Sequence, residues 1–139
     1  MKIKTLLLSS ILALSSTNLL ADNNMSLIVG GFSKHFGSGD YNETNTAIGV
    51  RYNDYDVIVF KNSYNNTSFV FAKTAFVNYS QSENYKVDVG FRYGLTTGYD
   101  KMPVMPFAQG LVSISHNQKA IELGMLNFAV IGVNFRYDF

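Results

Sequence analysis

Residues 85–94 read Tyr-Lys-Val-Asp-Val-Gly-Phe-Arg-Tyr-Gly. In an extended chain Tyr85, Val87, Val89, Phe91 and Tyr93 fall on one face, and Lys86, Asp88, Gly90, Arg92 and Gly94 on the other. Side chains of a strand switch sides at every residue, whereas a helix repeats every ~3.6, and this stretch has only the period-two reading. The C-terminus repeats it, with Ala129, Ile131, Val133, Phe135, Tyr137 and Phe139 opposed to Val130, Gly132, Asn134, Arg136 and Asp138. A third copy sets Ile48, Val50 and Tyr52 against Ala47, Gly49 and Arg51. Extended along the chain, the pattern predicts eight strands, at 26–36, 46–52, 55–63, 67–79, 85–94, 104–115, 119–125 and 128–139. The sixth and seventh alternate least cleanly, and Pro106 removes a ladder donor, which predicts a strand start or a bulge there. Asn53-Asp54 reads as a tight turn, 80–84 and 116–118 as short connections, and 37–45 and 95–103 as the longer ones.

Alternation alone does not choose between a soluble sandwich and a membrane barrel. The composition of the two faces does. One face is aromatic or branched and the other is Gly, Ala, Asn and charged residues, which suits a small barrel with lipid outside and a crowded polar lumen within. The expected fold is therefore all-β, an eight-stranded antiparallel transmembrane up-and-down β-barrel over 22–139. Tyr52, Tyr79, Tyr85, Tyr93, Tyr137 and Phe139 are placed to form interfacial girdles. An even strand number puts both termini on one side; if that side is periplasmic, the longer connections after the first and fifth strands lie outside the cell. The inward charges Arg51, Lys86, Asp88, Arg92, Glu122, Arg136 and Asp138 are expected to pair across the lumen, since buried charges persist only when paired. Lys73 falls on the lipid face beside Phe69 and Phe71, so either it snorkels or its strand carries a bulge or a reversed face.

Composition agrees and excludes other classes. With 47% hydrophobic and 14% aromatic residues the chain can offset backbone entropy, unlike a disordered one. The absence of Cys excludes a disulfide scaffold and any thiolate site, and a formal charge of +1 leaves no footprint for nucleic acid. Lys2 and Lys4, an apolar run over 5–14 and the small Ala21 have the order of a cleaved secretory signal peptide at 1–21. The apolar run is too short for the ~20 residues of a membrane-spanning anchor. Cleavage would leave nine Lys and Arg against ten Asp and Glu.

The terminal Gly-Val-Asn-Phe-Arg-Tyr-Asp-Phe, alternating and ending on an aromatic carboxyl terminus, resembles the C-terminal strand signal of bacterial outer-membrane proteins. The resemblance implies a bacterial outer-membrane location among lipids that include lipopolysaccharide. It also implies recognition by the barrel assembly machinery through the strand ending at Phe139.

A lumen of about eight strands is filled by side chains, so chemistry is expected at the rim rather than through a pore. Ser33 and His35 are two apart in a strand and share a direction, roughly 6.5–7 Å apart, with Ile28, Phe32 and Phe36 expected on the opposite face. Ser with His is the minimal set for an activated hydroxyl, provided that a carboxylate such as Asp40 or Glu43 orients the imidazole. Ser63 is an alternative nucleophile. Asn42, Asn45, Lys61 and Asn62 fall on the same rim as candidate substrate-binding groups, and a donor in 61–63 could serve an oxyanion. In size and residue types the chain is similar to the small barrels that modify lipid A, a palmitoyltransferase and a 3-O-deacylase, which implies an acyl hydrolase or acyltransferase acting at the outer leaflet. It departs from both: the deacylase carries its His before its Ser with an adjacent Asn, and the palmitoyltransferase has an N-terminal amphipathic helix. The plainer reading is a structural or surface-interaction barrel in which Ser33 and His35 belong to the lumen's hydrogen bonds and Asn42, Glu43 and Asn45 hold their own loop. No cofactor is expected and no metal, since the two His lie far apart, His116 in a solvated turn.

Overall fold

The computed structural model describes residues 24–139; the expected signal peptide lies outside the described residues. Every regular element among them is a strand: β1 (Met25–His35), β2 (Thr44–Tyr52), β3 (Tyr55–Lys61), β4 (Thr67–Gln81), β5 (Lys86–Tyr99), β6 (Met102–His116), β7 (Lys119–Leu126) and β8 (Val130–Asp138). Each pairs antiparallel with its sequence neighbours, and β1 pairs with β8 to close the barrel. Closure leaves no strand with a wholly unpaired side.

The connections at 53–54, 82–85 and 117–118 lie at one end with the two ends of the described residues, where Phe139 N donates to Met25 O at 3.0 Å. Those at 36–43, 62–66, 100–101 and 127–129 lie at the other, here called the loop end. The predicted loop at 95–103 is instead ladder: Thr97 pairs with Val104 and Tyr99 with Met102, so only Asp100 and Lys101 turn. Gly98, at φ 89, supplies a backbone conformation that a side chain would strain, and the Thr and Tyr around it have strand propensity. Pro106 marks neither a strand start nor a bulge, since it sits inside β6 opposite Leu95 in an unbroken register. Pairing of β6 with β7 begins only at Gln109, so on that side Pro106 has no ladder partner to lose.

One expected facing is corrected. Ile28 does not oppose Ser33 and His35; it is fully buried in the lumen. The register of β1 against β8 slips between Gly30 and Phe32, making Gly31 an extra residue that resets the alternation. Phe32 and Phe36 do face outward. The rest of the wall is apolar outside, Phe69, Phe71, Phe91 and Phe135 each being more than half exposed, while the buried set is mostly polar or charged. Phe60, Phe76 and Phe107 turn inward instead, the first and last packing on a cluster of Ile28, Ile58, Val70 and Ala72 in the loop half of the lumen.

The other half is ionic. Arg51 binds Asp56 (2.6 Å) and Glu122 (2.8 Å), Arg92 binds Asp56 (2.7 Å) and Glu122 (3.0 Å), and Arg136 binds Glu122 (2.5 Å) and Asp138 (2.7 Å). Asp56, absent from the expected inward set, is as fully buried as Glu122. Lys86 and Asp88 pair separately at 3.1 Å, with the lysine half exposed. Glycines on β5 let it lie close against β4: a Cβ at Gly90 or Gly94 would strike the backbone carbonyls of Ala75 and Phe71. Lys73 does face outward, and the register of β4 against β5 slips only further along, between Asn78 and Ser80; Lys73 pairs with Tyr55 beside the 53–54 turn and lays its ammonium 5.7 Å from that ring's centroid.

Glu122→Gln keeps the shape but leaves the three guanidiniums short of a carboxylate. Removing one partner of a buried ion pair costs about 3–5 kcal/mol, so the variant is expected to lower the midpoint of equilibrium urea unfolding sharply, whereas Phe135→Leu on the outer wall should barely move it.

Candidate active site

The bulge at Gly31 turns the end of β1 so that Ser33 and His35 both face the lumen. Opposite them, the 62–66 connection is built by one side chain. Asn62, fully buried, accepts at Oδ1 from the backbone N–H of Tyr64 (2.9 Å) and Asn66 (3.0 Å) and donates from Nδ2 to Ser68 Oγ (3.0 Å) and Gly98 O (2.9 Å). This is the Asx-type turn that Asn favours, and Asn65 occupies the left-handed region beside it at φ 64. The result is a fixed Ser63. The 36–43 connection is then tied to it: Asn42 N donates to Ser63 O (2.8 Å), Asn42 Nδ2 to Asn62 O (3.2 Å), and Asn45 Nδ2 to Lys61 O (2.9 Å).

Within this frame His35 Nε2 lies 2.8 Å from Ser63 Oγ. The imidazole is nearly buried and stacks on Tyr41, with ring centroids 4.4 Å apart and planes within 14°. Glu43 Oε1 accepts from the His35 backbone N–H at 3.0 Å and lies 3.7 Å from Nδ1, too far for a hydrogen bond but within ion-pair range. Nδ1 is buried without a hydrogen-bond partner. Lys34 Nζ holds the other carboxylate oxygen at 3.0 Å. The His35 amide, followed by the Lys34 ammonium, keeps the Glu43 carboxyl below the ordinary carboxylate range.

Ser63, His35 and Glu43 thus lie in a row, with Ser63 hydrogen-bonded to Nε2 and Glu43 beside Nδ1 but not bonded to it; an Nδ1–H tautomer would leave Nε2 free to accept from the serine. The other candidates are placed differently. Ser33 Oγ donates to Asn45 Oδ1. Asp40 is exposed on the loop, and Glu43 is the carboxylate that reaches the imidazole. Asn62 and Asn42 spend their side chains on the two connections, and Lys61 Nζ donates outward to Thr67 Oγ1 at 3.1 Å and Asn65 O at 3.4 Å. His116 is exposed at the far end, bonded to Asn84 O. Tyr41, which covers the imidazole, carried no sequence signal of its own, because a loop tyrosine has no period to betray its direction.

Beneath Ser63 the lumen holds a cavity of about 240 Å³. It reaches from Ser33, Asn45 and Ser63 at the mouth down to Arg92 and Gln109.

The chain matches no protein-family model and no curated protein. Fold and site together define its class: a closed eight-stranded antiparallel barrel with a serine, histidine and glutamate cluster at one rim.

A carboxylate held below its ordinary range contributes its contact energy above that range and loses it as pH falls through the lowered value. Hydrogen-exchange protection of 36–43 is therefore expected to persist through mildly acidic pH and to fall only below the ordinary carboxylate range. Glu43→Gln should abolish that pH dependence.

Proposed function

We propose that the chain is a small bacterial outer-membrane β-barrel in which Ser63, His35 and Glu43 form an acyl-ester hydrolase or acyltransferase site facing the outer leaflet, with lipid A as substrate. The observation that carries the catalytic reading is the 2.8 Å contact between Ser63 Oγ and an imidazole whose other nitrogen is buried, unbonded and 3.7 Å from Glu43. Ser63 Oγ attacks the ester carbonyl while His35 Nε2 takes its proton. The imidazolium, offset by Glu43, then protonates the departing sugar alkoxide. Water, deprotonated by His35, or a second hydroxyl in a transferase, attacks the acyl-Ser63 carbonyl and releases the acyl group with Ser63 restored.

Support for the membrane comes from the inversion of the fold. Burial of carboxylates and guanidiniums inside, with aromatics on the outer wall, is costly in water, where apolar surface loses about 25 cal/mol per Å², and natural in lipid. The charged sequence order at 1–21 supports export, and the alternating strand that ends at Phe139 supports recognition by the assembly machinery. With the short turns inside, the loop end lies at the depth of lipid A headgroups.

A structural or surface-interaction barrel is the second reading, favoured by the many internal hydrogen bonds that Asn42, Asn45 and Asn62 make. Lipid A mass spectra from a host expressing the protein separate the two. Wild type is expected to remove or add an acyl chain, Ser63→Ala and His35→Ala to lose roughly 10³-fold or more of that activity, and Ser33→Ala to keep most of it. A spectrum that wild type leaves unchanged returns the protein to the structural reading. For orientation, an epitope inserted at Gly39 is expected to label on intact cells and one at Ser82 is not; the reverse pattern inverts the barrel. Both forms should migrate heat-modifiably on a detergent gel.

A further inference from the structure

Three successive residues of the 36–43 connection engage the Ser63 and His35 pair, each by a different contact. Tyr41 lays its ring on the imidazole, Asn42 donates from its backbone N–H to Ser63 O at 2.8 Å, and Glu43 accepts from the His35 backbone N–H at 3.0 Å. The last two contacts hold main chain. The first bears on the ring itself, and the catalytic reading leaves it unused.

The imidazole needs such a contact. Its hydrogen bond joins Nε2 to Ser63 Oγ, and Nδ1 makes none. A ring held at one nitrogen can still swing about its bond to Cβ, because that torsion is broad. Tyr41 removes this freedom: the two rings lie 14° from parallel with centroids 4.4 Å apart, the close approach of stacked rings. Tyr41 is itself braced. A Cβ at Gly39 would strike its ring, so a glycine there leaves the ring its place. Tyr64 meets Tyr41 edge to face at 6.2 Å, and Tyr99 at the end of β5 meets Tyr64 in the same way at 6.2 Å. Since Tyr64 follows Ser63 directly, the brace and the hydroxyl ride on one connection.

The stacked face also meets charge. When His35 accepts the Ser63 proton its imidazole becomes a cation, with Glu43 3.7 Å from Nδ1 and the π face of Tyr41 over the ring. An aromatic face attracts a cation through its quadrupole, most strongly where water is excluded, and this imidazole is nearly buried.

We infer that Tyr41 is a positioning residue of this site: it fixes the plane of the His35 imidazole so that Nε2 meets Ser63, and its π face stabilises the charge that the imidazole takes up. The charge half rests on the reading of Ser63 as nucleophile; the positioning half does not.

The full barrel in detergent micelles, labelled with carbon-13 histidine, carries only His35 and His116 as labelled residues. Relaxation of the His35 Cε1–H vector is expected to report an ordered ring in wild type, Tyr41→Phe and Glu43→Gln and a mobile one in Tyr41→Leu, with His116 alike in all four. A His35 ring that stays ordered in Tyr41→Leu overturns the positioning half. Ester turnover is expected to be largely kept in Tyr41→Phe and to fall roughly 30-fold in kcat in Tyr41→Leu, with KM little changed. Phenylalanines of increasing fluorination placed at Tyr41 keep the ring's shape while draining its π face, and kcat is expected to fall stepwise along the series. A flat series means that the ring acts by shape alone and overturns the charge half. Each variant is first checked for heat-modifiable migration. Ring order that follows Tyr41 in a barrel that hydrolyses no ester sinks the catalytic reading, and the charge half with it, and upholds the positioning half. Hydrolysis that Tyr41→Leu leaves undiminished sinks the role of Tyr41 alone.

Discussion

Six charges meet in the lumen and cancel. Arg51, Arg92 and Arg136 face Asp56, Glu122 and Asp138, and the hydrogen bonds run on to Ser26, Thr74, Gln109 and Ser113, so that all eight strands place at least one side chain in the network. Burying such groups unpaired would be prohibitive, which makes the network close to all-or-none: each strand must be in register for its partner's charge to be met. A one-residue slip in any strand would turn its charged or polar member of the network to the outer wall. Register, closure and the absence of an open pore thus follow from one set of contacts.

That network also divides the molecule. Below it the barrel is a tied bundle of strands; above it the lumen turns apolar and then opens to a rim held by asparagines. Asn62 shapes one connection, Asn42 and Asn45 tie the next to it, and Ser63, His35 and Glu43 sit between them with their geometry set before any ligand arrives. Preorganisation of this kind is what a reacting hydroxyl needs, and it comes from hydrogen bonds within the turn at Asn62 and between the two connections. Rim chemistry is thereby separated from the part of the barrel that fixes its stability.

How much of this was legible depended on period. All eight strands were, because side-chain alternation is a local property, and so were the outward aromatics and most of the inward charges. Asp56 escaped notice beside the Asn53-Asp54 turn, where a carboxylate reads as solvated. Residues 95–103 looked like a loop because Thr, Gly and Pro cluster there, yet the register with β6 carries the ladder through to Tyr99. Ile28 was assigned to the wrong face because period two cannot announce an inserted residue, and Gly31 is one. At the rim, Ser33, His35, Glu43 and Ser63 were all recognisable as reactive types, and that Ser63 rather than Ser33 meets the imidazole was not, since it depends on a turn 28 residues away.

What the sequence by itself determined was the strand count, the two faces and the chemistry available on each, because these depend on neighbours one and two residues apart. Only the tertiary structure decided which hydroxyl pairs with His35, which carboxylates neutralise the arginines, and where the lumen stays hollow. Those outcomes depend on strand register and on the bulge at Gly31, and register is settled by long-range pairing between residues that share no local pattern.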